Sequence, residues 1–288
     1  MKNQHVKHLI ELNLAMMFVS TSGVLGRFIS TAPPVTIWWR SVLTVVCLAL
    51  FIWYKKIDLK IASKNDLKTI LISSLFMGAH WVTYFYALKL AGVAIGMISM
   101  FTYPIITVFL EPLFFKSKLN KVHVLLGLLV LIGIYFLTPE FTIKNNVSLG
   151  VLSGIISAVF YSIRNILMKQ KVASYHGSML MFYQMLIISF LLWPVLFLFE
   201  GTPSTNDWFG LATLALLTTA IGHTMFVVCM KNFNIGAISI MSSIQPIYGI
   251  LFAILFLGEI PVSTTVIGGA LIITTVIIES VLSKKEKN

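Results

Sequence analysis

The sequence predicts an all-α polytopic membrane protein with ten transmembrane helices arranged as two inverted five-helix repeats. Three observations predict this class. Of the 288 residues, 58% are hydrophobic and only 11% are charged; the apolar residues form ten long runs; and the two halves of the chain match at a fixed offset. Since a soluble domain carries about 25% charged residues, and the mean hydropathy here is +0.92, a water-soluble globule is excluded.

Ten apolar runs are long enough to be membrane spans. Each span needs about 20 mostly apolar residues to cross about 30 Å of hydrocarbon. The segments between the runs are too short to fold as a separate domain. The predicted spans are Leu9–Ile29, Pro34–Tyr54, Leu67–Ala87, Val93–Phe115, Val122–Thr138, Ser148–Met168, Gly177–Phe199, Trp208–Met230, Ile235–Leu257 and Val262–Leu282.

The basic residues predict how the spans are oriented. With the amino terminus in the cytoplasm, sixteen of the 21 Lys and Arg residues lie in cytoplasmic loops, in the termini or at the cytoplasmic end of a span; three lie in loops or at a span end on the other side; and two, Arg40 and Arg164, lie further inside spans. This asymmetry follows the positive-inside rule. We therefore expect a multi-pass protein of the cell (inner) membrane with both termini cytoplasmic. The formal charge of +11 is explained by topology, without a nucleic-acid partner.

The two halves of the chain match when one is shifted by 142 positions. We divide the chain into repeats at 1–145 and 146–288. Because each repeat has five spans, an odd number, the two must insert with opposite orientations. Inverted repeats are common in secondary transporters, which hold substrate near the midplane between the repeats. Matched residues include Lys89 with Lys231, Pro104 with Pro246, and Gly127 with Gly269.

Two segments, one in each half, resemble a known family. The chain is similar to an EamA-type member of the drug/metabolite transporter superfamily in ALKLAGVAIGMISMFTYPIITVFLEPLFF, from Ala87, and in CMKNFNIGAISIMSSIQPIYGILFAILFLGEIP, from Cys229. The resemblance implies ten helices, with helices 1–4 of each repeat around a central cavity and the fifth helices peripheral. It also implies transport of small metabolites, often the export of amino acids or related compounds.

Polar side chains inside the spans are the candidate site residues, because such groups usually face a bundle interior or a watery cavity. Helix 6 carries a stripe at helical spacing that includes Ser157, Tyr161 and Arg164. The stripe could line a substrate path or could join helices by hydrogen bonds. The same alternatives hold for the intramembrane histidines. The predicted wall residues of the cavity are His80, Trp81, Tyr84, Tyr103, Tyr161, His223 and Gln245.

Two arginines and two prolines inside spans each have two interpretations. Arg40 and Arg164 could contact a carboxylate or phosphate, or could have a structural role or extend along the helix to an interface. Pro104 and Pro246 could be hinges at the cavity or static kinks, because proline removes a backbone donor from a helix.

The positions of the acidic residues argue against proton coupling through carboxylates. No Asp or Glu lies near a predicted midplane, whereas proton relays in transporters commonly use such carboxylates. Coupling through His80 or His223, or passage without coupling, stays open. Glu259 precedes helix 10, where an acid suits the amino-terminal dipole.

Together these patterns predict a secondary transporter that works by alternating access. No HExxH, GxSxG, CxxC or phosphate-binding glycine motif occurs in the sequence, so we expect no cofactor, no metal and no enzyme activity. The alternative is a polytopic membrane enzyme that acts on lipid substrates. The expected partners are a small-molecule substrate and the lipid bilayer, with a homodimer as one option.

Overall fold

The chain folds into helices, as a computed structural model shows for residues 2–115, 121–137, 142, 145–199, 202–232, 238, 242 and 244–285. None of these residues lies in a strand. The predicted all-helical class is therefore confirmed. The helices are α1 (Lys2–Phe28), α2 (Pro33–Lys55), α3 (Lys64–Met100), α4 (Tyr103–Phe115), α5 (Lys121–Leu137), α6 (Asn146–Lys169), α7 (Gly177–Leu192), α8 (Thr205–Cys229), α9 (Gln245–Leu257) and α10 (Ser263–Lys285).

Six of these helices are long and apolar enough to cross a membrane: α1, α2, α3, α6, α8 and α7 together with the turn of helix that follows it. Shorter apolar stretches lie in α4, α5, α9 and α10. A chain with this many apolar helices is a multi-pass membrane protein. Several residues used in the predictions lie outside the described residues: Thr138 and Ile235 at span ends, and Lys116, Lys118 and Lys144 among the topology signals.

The third and fourth predicted spans are divided differently in the structure. Helix α3 runs through both the predicted span Leu67–Ala87 and the start of the next, and its backbone breaks at Gly92 with φ 82° and ψ 172°. Glycine has no Cβ and adopts positive φ without steric cost. Phe101 and Thr102 then separate α3 from α4. The predicted span Val93–Phe115 is therefore two helical pieces rather than one.

Helix α8 contains a π-helical stretch, Leu214–His223. Thr219 Oγ1 donates a hydrogen bond to the Leu214 carbonyl, five residues back, at 2.8 Å. A π-helix is wider than an α-helix and is frequent at functional sites. The stretch displaces the residues after it relative to an α-helical register, a feature that the sequence pattern does not predict.

Close packing of α3 on α6 forms the centre of the bundle. A Cβ added at Gly154 would overlap Ser99 Oγ, so the two helices approach as closely as they do only because that position is glycine. The main buried cluster takes residues from α1, α2, α3, α6, α7 and α8, with single residues from α4 and α9.

Helices α5 and α10 pack against each other, with Gly133 of α5 beside Ile272 of α10. Among the described residues, the main buried cluster contains none from either helix. Leu125, Leu131 and Tyr135 of α5 are exposed. These two helices therefore lie at the edge of the bundle, where the family resemblance places the fifth helices.

Candidate substrate-binding site

Most of the predicted wall residues meet in one row of rings at the centre of the bundle. Tyr103 lies edge-on to Tyr161, with ring centroids 4.9 Å apart. Tyr161 stacks on His80 at 4.4 Å, and His80 in turn lies parallel to Tyr84 at 6.0 Å. Tyr103 Oη is hydrogen-bonded to Ser242 Oγ at 2.7 Å. The row therefore joins α4, α6 and α3.

The hydrogen bonds of His80 identify its tautomer. Ser157 Oγ donates its one proton to the His80 carbonyl at 2.8 Å. The same oxygen lies 2.7 Å from His80 Nδ1, so it accepts a hydrogen bond there, and Nδ1 carries the proton. The nitrogen therefore joins α3 to α6 by a hydrogen bond, as one interpretation of the intramembrane histidines expects, and a contact of the ring with substrate stays a prediction.

Arg40 lies beside this row with most of its donors unused. Its Nε donates to Thr219 Oγ1 at 2.7 Å, and its guanidinium carbon lies 3.6 Å from the centroid of the Trp81 ring. Within the described part of the chain, neither Nη1 nor Nη2 has a hydrogen-bond partner. The side chain is nevertheless 0% exposed. This is a buried cation with two unmet donors.

Arg164 is also fully buried, but its terminal nitrogens have acceptors. Nη2 donates to Gln184 Oε1 at 2.6 Å, and Nη1 donates to Asn165 Oδ1 at 3.0 Å. Gln184 is held in turn, because its Nε2 donates to Ser73 Oγ at 3.0 Å. Only the Nε of Arg164 lacks a partner among the described residues. This network joins α6, α7 and α3.

His223 approaches the Arg40 site from the π-helical stretch of α8. Its ring lies edge-on to Trp81 at 5.3 Å. In the described residues no group is hydrogen-bonded to His223 Nδ1. Trp81 therefore contacts both a guanidinium and an imidazole that have unmet polar atoms.

Gln245 and the two prolines lie where helices begin. Ser20 of α1 donates to the Gln245 carbonyl at 3.0 Å, and the Gln245 side chain is buried. Pro104 and Pro246 are each the second residue of a helix, α4 and α9. The missing N–H of proline costs nothing in a first turn. The expected kinks are therefore helix starts in the structure.

These side chains are packed together, and each of the predicted wall and arginine residues is at most 5% exposed. The alternative in which Arg40 and Arg164 extend to an interface does not hold in this structure, because both side chains are enclosed by neighbouring helices. The expected open cavity is a closed polar cluster in this structure.

One end of the bundle is closed by a cluster around Glu259. Arg27 Nε donates to Glu259 Oε1 at 2.9 Å, and the backbone N–H of Val93 donates to Oε2 at 2.9 Å. Arg27 Nη1 also donates to the Lys89 carbonyl at 2.9 Å. Glu259 thus caps the part of α3 that follows Gly92, rather than its own helix as the sequence suggested. The Glu259 cluster joins α1, α3 and the segment between α9 and α10.

A cleft of about 900 Å³ lies away from the polar cluster. Its lining includes Lys55, Lys60 and His176. His176 Nδ1 accepts a hydrogen bond from the Ser178 N–H at the start of α7, which requires an unprotonated nitrogen. Burial, with a smaller effect from the positive charge of Lys231, lowers the pKa of His176. The neutral form that caps the helix is therefore favoured.

Comparison with known proteins identifies the family. A family model described as the EamA-like transporter family matches the chain at residues 9–138 and 148–281. The chain belongs to the EamA-like transporter family. The resemblance seen in the sequence is confirmed. An EamA-like transporter is not an enzyme, so the alternative of a lipid-modifying enzyme is excluded. Its substrate is a small molecule and its environment is the lipid bilayer.

Individual relatives agree with this family. An uncharacterized transporter of Archaeoglobus fulgidus is 26% identical over 212 residues, which cover 73% of this EamA-like chain and 76% of the relative. The pseudopaline exporter CntI of Pseudomonas aeruginosa is 21% identical over 215 residues, 75% of each protein. A crystal structure of another protein superposes with a TM-score of 0.71 at 17% identity, covering 98% of this chain and 99% of that one. That likeness shows a shared fold.

Some residues of the central networks in this EamA-like transporter were not predicted from the sequence. Gln184 is a lone amide in the apolar run of α7, so the rule that selected the other polar residues could have selected it. Ser73 had a weaker signal, because buried serines commonly bond to their own helix, as Ser73 also does to the Ile70 carbonyl at 2.9 Å.

Proposed function

We propose that this EamA-like protein is a secondary transporter that exports small metabolites, such as amino acids or related compounds, by alternating access. The proposal includes ten transmembrane helices in two inverted repeats, 1–145 and 146–288, in the inner membrane with both termini cytoplasmic. A homodimer stays a prediction.

The observation that carries the proposal is the buried polar cluster between the two halves of the chain. Arg40, His80 and Trp81 come from the first half, whereas Tyr161 and His223 come from the second. Polar side chains buried in a membrane bundle are costly and mark substrate pathways. Substrate sites between repeats are typical of inverted-repeat transporters.

The cluster has the chemistry of a small-metabolite site. Trp81 and Tyr84 provide aromatic faces for apolar and cationic groups. His80 and Gln245 provide polar atoms that can orient a ligand within such a site. Since the cluster is closed in this structure, substrate must enter when the helices of the two halves separate.

The Glu259 cluster is the proposed gate on the outer side. The positive-inside rule places Arg27 and Lys89 on the side opposite the cytoplasm. Arg27, Glu259 and the N–H of Val93 join first-half helices to the second half at this end. Breaking these contacts would let the halves separate outward. Pro104 and Pro246, at the starts of α4 and α9, lie beside breaks where such rocking can be absorbed.

The experiment is a substrate screen with purified protein in liposomes. A panel of radiolabelled amino acids and related metabolites is loaded inside, and efflux and uptake are compared with and without an imposed pH gradient, against protein-free liposomes. We expect protein-dependent movement of at least one compound down its gradient. Failure of every compound in both directions would overturn the proposal.

A further inference from the structure

We propose that Arg40 is the anchor for a carboxylate group of the transported metabolite. This inference rests on the proposed function and deepens it, because it names the charge and the chemical group that the central cluster selects. It also assigns different roles to the two buried arginines.

The first step is the unmet hydrogen-bonding capacity of Arg40. A guanidinium stays protonated in proteins, and an isolated buried charge is strongly unfavourable. Arg40 is fully buried, its Nη1 and Nη2 have no partner among the described residues, and within the same residues it forms no ion pair with a carboxylate. An anion that reaches this position would meet two waiting donors.

The second step is the geometry of the part of the Arg40 guanidinium that has no hydrogen-bond partner. Trp81 covers one face of the guanidinium at 3.6 Å, and Thr219 occupies Nε. The two free nitrogens are the terminal pair, which lie in the plane of the group. A single carboxylate accepts two parallel N–H···O bonds from such a pair. The Nη1–Nη2 edge of Arg40 offers one pair of donors and a single positive charge. It therefore matches a carboxylate, which has two oxygens and one negative charge, better than a phosphate dianion.

The third step is a second unmet polar atom on the same tryptophan. His223 contacts Trp81 edge-on, and in the described part of the protein nothing is hydrogen-bonded to its Nδ1. Arg40 and His223 therefore contact the same aromatic ring, and each has a polar atom without a partner among the described residues. A metabolite with a carboxylate and a neighbouring polar group would meet both.

Arg164 does not offer the same site. Its Nη1 donates to Asn165 Oδ1, and its Nη2 donates to Gln184 Oε1 and to Met181 Sδ. Neither terminal nitrogen is therefore without an acceptor, in contrast to those of Arg40. A carboxylate at this pair of nitrogens would compete with these neutral acceptors. The structure therefore singles out Arg40.

The test uses matched acids and amides in liposomes that contain the protein. Each radiolabelled amino acid of the panel is paired with its carboxamide, which has the same shape without the negative charge. We expect wild-type protein to move at least one acid about tenfold or more faster than its amide, as the loss of a charge-assisted bidentate contact predicts. Inorganic phosphate is added as a competitor.

Variants of Arg40 test whether this residue is the source of the preference for the acid over the amide. Arg40→Met keeps an unbranched chain over Trp81 and should lose about tenfold or more of acid transport. Arg40→Lys keeps the charge but not the paired donors, and should lose part of the preference for the acid. Lys68→Met removes one positive charge from an exposed position and should behave like wild type.

The outcomes separate this inference from the proposed function. If wild-type protein moves no compound, the proposed function fails. If it moves compounds but treats acid and amide alike, or if folded Arg40→Met or Arg40→Lys keeps the full preference, the carboxylate anchor is overturned. The proposal would also be overturned if inorganic phosphate inhibited transport of the radiolabelled acid as strongly as the same concentration of the unlabelled acid does, because the site would then not select a carboxylate.

Discussion

Two arginines are buried at the centre of the bundle, and they differ in how their donors are used. Arg164 gives both terminal nitrogens to neutral side chains of α6 and α7, and Gln184 extends this network to α3. Arg40 gives only Nε to α8 and stacks on Trp81, while its terminal nitrogens have no acceptor among the described residues.

The difference teaches that burial alone does not distinguish a structural cation from a ligand-binding one. Both side chains are 0% exposed, and within the described residues neither has a carboxylate partner. What separates them is hydrogen-bond satisfaction. Arg164 has acceptors at both terminal nitrogens and lacks one only at Nε, whereas Arg40 has an acceptor only at Nε. A buried polar group that is bonded stabilises the fold, whereas one left unmet is costly and indicates a functional constraint.

The largest expected effect is in the Arg164 network. Gln184→Leu removes the acceptor of Arg164 Nη2 and the donor to Ser73, and leaves a buried charged N–H unmet. We expect a loss of about 2–3 kcal/mol of stability, measured as a lower thermal unfolding midpoint of purified protein in detergent.

The control for this change lies on the same helix. Leu186 of α7 is exposed, so Leu186→Ala should shift the midpoint little. The double variant Arg164→Met with Gln184→Leu should recover part of the loss, because both partners are then apolar. An unchanged midpoint in Gln184→Leu would mean that Arg164 does not depend on this acceptor, and the contrast with Arg40 would disappear.

The next effect concerns the packing that brings α6, and Arg164 with it, against α3. Gly154→Ala places a methyl group into Ser99 Oγ and should cost about 1–3 kcal/mol through overpacking. Gly78→Ala is the matched control, since its new Cβ would lie 3.4 Å from Ile188, an ordinary contact. Thermal unfolding compares the two. Equal midpoints would show that α6 can move without cost.

The smallest effect is expected for the arginine that does have a carboxylate. Arg27 and Glu259 are 43% and 29% exposed, and partly exposed ion pairs contribute about 0–1 kcal/mol. Glu259→Gln should therefore lower the unfolding midpoint less than Gln184→Leu does. Arg27→Gln removes the same pair from the other side and should match it. A loss as large as that of Gln184→Leu would contradict this ranking.

The sequence predicted the helices and the buried residues well, because apolar length and polar residues inside spans are local signals. His80, Trp81, Tyr84, Tyr103 and Tyr161 do lie together in the structure. Whether they contact substrate stays a prediction that the proposed experiments test.

The sequence could not distinguish Arg40 from Arg164, because the partners Thr219 and Gln184 lie on other helices. Thr219 is 179 residues from Arg40, and Gln184 is 20 residues from Arg164 on another helix. The alternative in which both extend to an interface considered only the distance to the helix end. It could not include the neighbouring helices that enclose them.

Two features of the backbone also could not be predicted from local sequence patterns. The N–H that follows the break at Gly92 donates to Glu259, which lies 166 residues away in the sequence. The π-helical stretch of α8 could not be predicted either, because an apolar run with Thr and His residues has no signal specific to a π-helix.

The most direct test of the central claim is a comparison of the thermal unfolding midpoints of Arg40→Met and Arg164→Met without substrate. Removing an unmet buried charge relieves its desolvation cost, whereas removing Arg164 leaves Gln184 and Asn165 without their donor. We predict that Arg40→Met unfolds at or above the wild-type midpoint and that Arg164→Met unfolds clearly below it. A lower midpoint for Arg40→Met with an unchanged one for Arg164→Met would contradict the assignment of the two arginines.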